Sequence, residues 1–248
     1  MNDFFIKLRF GIMRMLGLNL VINNQQQLLS TQQEIKKALI FNSTVCESEW
    51  LRHKSFSPGG WAVDFGFLYT LYRVLNDMHP QSILEFGLGQ SSKMVHQYAH
   101  FVENVKAVTG EHDKEWIGFF EKGKSGEYPV NIVKLDLEEV VYKGEKTRSF
   151  RNVSEIFKGQ TFDLILVDAP FGSPRYSRSQ ILELVPQNLA KRFCIIIDDY
   201  DREGEKETVR ELLSRFKELD IAVCANVYSG SKSHCLICSE DLKFLTSL

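Results

Sequence analysis

Two kinds of residue in this chain have the types and spacing to do chemistry: glycines that follow a strand, and carboxylates that end strands. The glycines lie in Ser82-Ile83-Leu84-Glu85-Phe86-Gly87-Leu88-Gly89-Gln90-Ser91-Ser92. There an apolar run enters a turn, and Gly87 and Gly89 let the backbone bend tightly and approach a ligand. Ser91 and Ser92 stand where they can cap the next helix, whose N-terminal amides face the same ligand. The carboxylates follow at later strand ends. Glu111, with Asp113 behind it, lies about twenty residues past the glycines, the place of a ribose-binding acid. Asp136 ends a third strand. Asp168 ends a fourth, and Asp198-Asp199-Tyr200-Asp201 ends a fifth.

The pattern lacks the third glycine of the dinucleotide fingerprint. An acidic residue before a shortened glycine set is more typical of S-adenosylmethionine sites. Glu85 is then expected beside the methionine ammonium, Glu111 at the ribose and Asp136 at the adenine amino group. Asp136-Leu137-Glu138-Glu139 also reads as a helix start. In a doubly wound sheet the fourth and fifth strands are neighbours, so Asp168, Asp198 and Asp199 meet at one rim. Carboxylate oxygens are hard ligands suited to Mg²⁺ or Mn²⁺, and such an ion would acidify an acceptor hydroxyl. The expected catalytic residues are Asp168 and Asp199, and the expected metal ligands are Asp168, Asp198 and Asp199. Basic residues near this rim, Arg148 in a charged loop expected over 142–151 and Arg175 and Arg178 after Asp168, suit a carboxylate or phosphate on a substrate. Tyr200 joins Arg148 and Arg175 as an expected substrate contact.

The elements that must position these residues follow from periodicity. Residues 1–55 read as a helical N-terminal extension, glutamine-rich over 25–39, and 56–248 as one domain. Ser57-Pro58-Gly59-Gly60 is a break. A helix is expected over 61–78, stopped by Pro80. Strands are expected over 82–86, 105–109, 130–135, 162–167 and 193–197, alternating with helices over 91–101, 114–121, 177–189 and 203–218. The apolar run 162–167, broken only by Asp163, is that of a strand buried on both faces. Residues 221–228 and 234–239 read as a closing hairpin. The fold expected is α/β and Rossmann-like: a mostly parallel seven-stranded sheet with an antiparallel closing hairpin.

Composition narrows the functional class. Thirty basic residues face 32 acidic ones, a net charge of −2, with no electrostatic footprint for nucleic acid. Five cysteines without regular spacing argue against a disulfide framework and for a reducing, cytoplasmic setting. Cys235 and Cys238, three apart on a strand, point to opposite faces and cannot chelate together. The apolar N-terminus, broken by Lys7, Arg9 and Arg14, is too short to span a bilayer. It suits either peripheral contact at the inner face of a membrane or a helix-mediated oligomer through residues 1–40.

The set Phe86-Gly87-Leu88-Gly89, Glu111-His112-Asp113-Lys114-Glu115-Trp116, Val167-Asp168-Ala169-Pro170-Phe171-Gly172 and Asp198-Asp199-Tyr200-Asp201-Arg202 resembles the plant glucuronoxylan 4-O-methyltransferase and polysaccharide-biosynthesis family of class I methyltransferases. The resemblance spans roughly residues 84–205. It implies S-adenosylmethionine-dependent methylation of a sugar hydroxyl, often on a uronic acid of a glycan. The carboxylate rim also resembles metal-dependent O-methyltransferases of the catechol and macrolide-sugar type, which act on small molecules. Their lysine shortly after the fourth-strand Asp is replaced here by Ala169, Pro170 and Phe171. The rival from another class is a non-catalytic scaffold of glycan assembly.

Overall fold

The computed structural model describes residues 17–123 and 128–248. Seven strands form one sheet in the order β3-β2-β1-β6-β7-β9-β8. They are β1 (Ser82–Phe86), β2 (Lys106–Glu111), β3 (Ile132–Lys134), β6 (Phe162–Val167), β7 (Leu189–Ile197), β8 (Val223–Ser229) and β9 (Ser233–Ser239). The first five are mutually parallel, and β9 runs antiparallel to both β7 and β8. This is the expected Rossmann-like sheet with its closing hairpin.

Helices cover both faces: α1 (Leu18–Val45), α2 (Phe65–Met78), α3 (Gln90–Phe101), α4 (Lys114–Gly123) and α7 (Glu203–Glu218), with single turns α5 (Val153–Ile156) and α6 (Ile181–Leu184). Alternate residues of each central strand face opposite layers. Ile83, Leu164, Leu166 and Ile196 pack with Phe67, Leu71 and Met94 on one side. Leu84, Ile165, Val167 and Ile195 pack with Phe86, Phe157 and Val209 on the other. Cys238 belongs to the first layer and Cys235 to the second, as the strand period requires.

Order along the sheet reverses between β1 and β6, which are hydrogen-bonded neighbours. Such a reversal opens a crevice at the carboxyl ends of the two strands. The glycine turn after β1 and Asp168 after β6 therefore share one crevice.

Several expectations are corrected. The helix expected from residue 61 starts at Phe65, because Asp64 caps it by accepting from the Phe67 amide at 2.7 Å. The helix expected over 177–189 is reduced to Ile181–Leu184. Its first residues instead pack under α7, where a side chain on Gly204 would meet the Ser173 carbonyl at 2.3 Å. Neither the helix start at Asp136 nor the charged loop beyond it forms. Leu137–Tyr142 (β4) and Glu145–Phe150 (β5) pair as an antiparallel hairpin of their own, turning at Lys143 and Gly144 with positive φ angles of 50° and 85°.

Helix α1 is 28 residues long and joins the domain near its C-terminal end. Phe41 and Val45 are buried in the core shared with α2, and Glu34 accepts from the Phe65 amide at 2.9 Å. Leu20, Val21, Leu28, Leu29, Ile35 and Leu39 remain exposed. For the N-terminal contact surface expected over residues 1–40, residues 1–16 lie outside the described residues. Among the described residues no helix is long and apolar enough to cross a membrane.

Candidate active site

Glu85 is fully buried at the end of β1. Its Oε2 accepts from the Thr109 hydroxyl at 2.7 Å, and Thr109 is in turn 2.8 Å from His96 Nε2. Oε1 has no hydrogen-bond partner. Burial pushes the carboxyl up to about 7, against the lowering pull of the bonded Thr109 hydroxyl and of the nearby Ser91 and Ser92 side chains, and the charge of Asp168 pushes it further up.

The turn after Glu85 is built for close approach. Gly87 has φ +106°, and a Cβ there would lie 3.1 Å from the Ala169 Cβ and 3.3 Å from the Asp168 carbonyl carbon. At Gly89 the backbone is extended, and a Cβ would meet nothing within 4 Å. Gly89, rather than Ser91 or Ser92, is the N-cap of α3, and Ser92 Oγ accepts from the Gly89 amide at 2.9 Å. A buried acid with one free oxygen fits the ammonium group of an S-adenosylmethionine donor, and the helix N-terminus beside the open space over Gly89 fits its carboxylate.

Glu111 ends β2 and is buried. Its carboxylate accepts the Leu88 amide at 3.1 Å, the His112 amide at 2.7 Å and the Asp113 amide at 3.0 Å, which fastens the glycine turn to the end of β2. Asp113 caps α4 through the Glu115 and Trp116 amides. The Trp116 indole donates to the Leu88 carbonyl at 2.6 Å. Asp136 is largely exposed at the end of β3, 3.6 Å from Lys134.

The carboxylate rim forms as expected. Oxygens of Asp168, Asp198 and Asp199 lie within 4.8 Å of one another. Asp198 is 1% exposed, and its Oδ2 has no hydrogen bond. Burial pushes its carboxyl well up, and the charges of Asp168 and Asp199 add to that. Asp168 is pushed up to about 6 by burial, while Arg178 pulls it down. Asp199 holds a left-handed φ of 57°, a strained backbone for a side chain larger than glycine.

Arg178 stands among these acids. Its side chain is 2% exposed, with Nη2 2.6 Å from Asp199 Oδ2 and 3.3 Å from Asp168 Oδ1. Glu205 of α7, wholly buried, lies 3.7 Å from its Nε and accepts from the Ser177 hydroxyl at 2.9 Å. Arg202 reaches the same Asp199 oxygen at 3.0 Å, and Lys232 comes within 3.9 Å of the other. A divalent ion on Asp199 Oδ2 would share that oxygen with two guanidinium groups, and one on Oδ1 would face the Lys232 ammonium, so the donor set does not fit an ion while Arg178 is in place.

The expected substrate arginines differ in placement. Arg175 is held between Glu207 of α7 at 2.6 Å and Glu145 of the hairpin at 3.0 Å. Arg148 is exposed on β5, its amide donating to Ser173 Oγ at 2.9 Å. Tyr200 is half-buried against the second core layer. Phe171, three residues past Asp168, has an aromatic partner that the sequence did not mark. Trp61, 82% exposed, meets Phe171, 53% exposed, edge to face at 5.1 Å. Two exposed aromatics in contact are the signal, and only the folded chain brings residues 61 and 171 together. A cavity of about 360 Å³, lined by Ser82, Lys106, Phe162 and His100, opens at the opposite ends of the strands and reaches His96, behind Thr109, but none of the rim carboxylates.

No protein-family model and no curated protein matches the chain. Solved structures similar to it include an O-methyltransferase from Bacillus cereus in complex with S-adenosylhomocysteine, at 15% identity over 84% of this chain and 91% of that one, with a TM-score of 0.48. Another is an S-adenosylhomocysteine-bound methyltransferase from Podospora anserina, at 14% identity over 84% of this chain and 88% of that one, with a TM-score of 0.49. Likeness at these identities concerns fold and leaves function to the site.

Proposed function

We propose that this protein is an S-adenosylmethionine-dependent O-methyltransferase whose acceptor is a sugar hydroxyl of a glycan or polysaccharide precursor. The observation that carries the reading is the contact between the two halves of the crevice. The Gly87 turn, which suits the donor, abuts the Asp168-Ala169 peptide, which suits the acceptor.

In this reading Glu85 Oε1 takes the donor's ammonium, and Gly89 leaves room for the backbone to approach it. Glu111 holds the turn in shape. When bound, the donor supplies an electrophilic methyl group for in-line displacement, so the protein's main task is alignment. Asp168 is the most exposed of the three rim carboxylates, at 21% against 9% for the Asp199 side chain. It is therefore the one placed to accept the proton of an acceptor hydroxyl. Asp199, faced by Arg178, Arg202 and Lys232, acts as a positioning residue. Trp61 and Phe171 offer apolar faces on which an acceptor ring can stack. Their high exposure favours one ring of an extended acceptor. The same faces would also take a small aromatic acceptor, the second reading. Labelled methyl donor supplied with a panel of glycans and phenols separates the two.

Titration calorimetry tests the donor half. S-adenosylmethionine is expected to bind with one site per chain, and no detectable heat would refute the reading. The sign of its pH dependence follows from Glu85. A carboxyl pushed up to about 7 is mostly protonated at about pH 6 and mostly ionised at about pH 8. Affinity for a cationic group should therefore rise across that window, by up to about tenfold, and Glu85→Gln should bind weakly and lose the dependence. A wild-type affinity that is flat over the window would remove Glu85 from the ammonium's partners.

A further inference from the structure

Arg178 makes full use of its guanidinium. Nε lies 3.4 Å from the Pro170 carbonyl, Nη1 donates to the carbonyls of Val167 at 3.2 Å and Asp198 at 2.9 Å, and Nη2 donates to Asp168 at 3.3 Å and Asp199 at 2.6 Å. Five donors thus meet five acceptors. Val167 ends β6, and Asp198 follows the last residue of β7, so the guanidinium ties together the two strand ends that carry the rim. With no donor left over, Arg178 does not serve the substrate-anion role its sequence position suggests.

We infer that Arg178 is the resident cation of the carboxylate rim, standing where a divalent ion would otherwise sit and holding Asp168, Asp198 and Asp199 in place without a metal. Three arguments carry this. First, the spacing of the three carboxylates is that of an ion site, yet their mutual repulsion in a buried setting is already offset by a cation that stays charged at any ordinary pH. Second, Mg²⁺ or Mn²⁺ would need oxygens at about 2.1 Å, and Asp199 Oδ2 is taken by Arg178 and Arg202 while Asp168 Oδ1 is turned to Arg178. Asp198 Oδ2 is left without a partner, but an ion drawn to it would have Asp168 and Asp199, each already paired with the Arg178 cation, as its other carboxylate neighbours. Third, Arg178 cannot swing aside without abandoning three main-chain carbonyls, those of Pro170, Val167 and Asp198, inside a site where unmet buried groups are costly.

Ion binding itself is the readout, so the outcome is independent of whether the chain transfers methyl groups. Mn²⁺ is titrated calorimetrically into the full-length wild-type protein, Arg178→Gln, Asp198→Asn and the Arg178→Gln/Asp198→Asn double variant. Glutamine keeps an amide donor for the main-chain carbonyls while removing the charge. The wild type should show no Mn²⁺ site that Asp198→Asn removes, and any binding that survives Asp198→Asn lies elsewhere and leaves the inference standing. Arg178→Gln should gain a single site, at least about tenfold tighter than any rim binding in the wild type, and the double variant should lose it. A wild-type site abolished by Asp198→Asn would overturn the inference, and so would a folded Arg178→Gln that gains nothing. If circular dichroism shows Arg178→Gln unfolded, the wild-type and Asp198→Asn titrations decide alone.

Discussion

Asp168→Asn should lower kcat by about 10²- to 10⁴-fold, the usual contribution of a positioned general base. The carboxamide keeps the size of the side chain and can still accept from Arg178, but it cannot take a proton from an acceptor. Folding should survive the change. Burial already disfavours the Asp168 charge and raises its carboxyl to about 6, so removing that charge relieves repulsion with Asp199 while giving up part of one ion pair. The melting temperature and the donor Kd are expected to stay close to wild type. A purely structural role would show the reverse, with lower stability and a rate reduced only in proportion to folded protein. An unchanged kcat with a raised KM would make Asp168 a binding group instead of a base.

Gly87→Ala should damage the site from the donor side. A φ of +106° is one that L side chains rarely adopt, and the new methyl would press on the Ala169 Cβ at 3.1 Å and on main-chain atoms of the Asp168-Ala169 peptide at 3.3 Å. Main-chain atoms of two neighbouring parallel strand ends cannot yield as a flexible side chain can. The backbone strain alone costs about 1–3 kcal/mol, which for a chain of this size lowers Tm by roughly 4–8 °C near the middle of that range. Donor affinity should fall as well, because the turn is pushed off its seat. Gly89→Ala is the informative comparison. Its backbone is extended and its methyl would meet no protein atom, so stability should hold while calorimetry shows weaker donor binding. Unaltered donor affinity in Gly89→Ala would mean that the donor does not lie over this turn.

Where the sequence reading succeeded, the signals were short-range. Residues 164–167 and 193–197 are unbroken apolar runs, and β6 and β7 include both. The helix over 203–218 carries its apolar face at helical spacing, and α7 has those bounds. Where it failed, a competing local signal lost to packing. Residues 177–180 looked helical, yet they fold against Gly204 and feed Ser177 Oγ to Glu205. The charged stretch 142–151 looked like a loop, although Lys143-Gly144 is a hairpin turn and Leu137 and Phe150 are partners at the base of the hairpin.

The amino-acid sequence by itself determined the turn proposed here to hold the donor. A strand, its terminal acid and the glycines after it lie within a few residues of one another, and backbone sterics act over that range. It also determined that three carboxylates end neighbouring strands, because strand ends in a parallel sheet share one edge. Only the tertiary structure decided how those carboxylates are neutralised. Arg178 and Lys232 reach Asp199 from two separate segments, and Coulomb attraction selects partners by distance through space, with no period along the chain to betray them. The same holds for Trp61 and Phe171, whose meeting depends on how the segment before α2 lies over the end of β6.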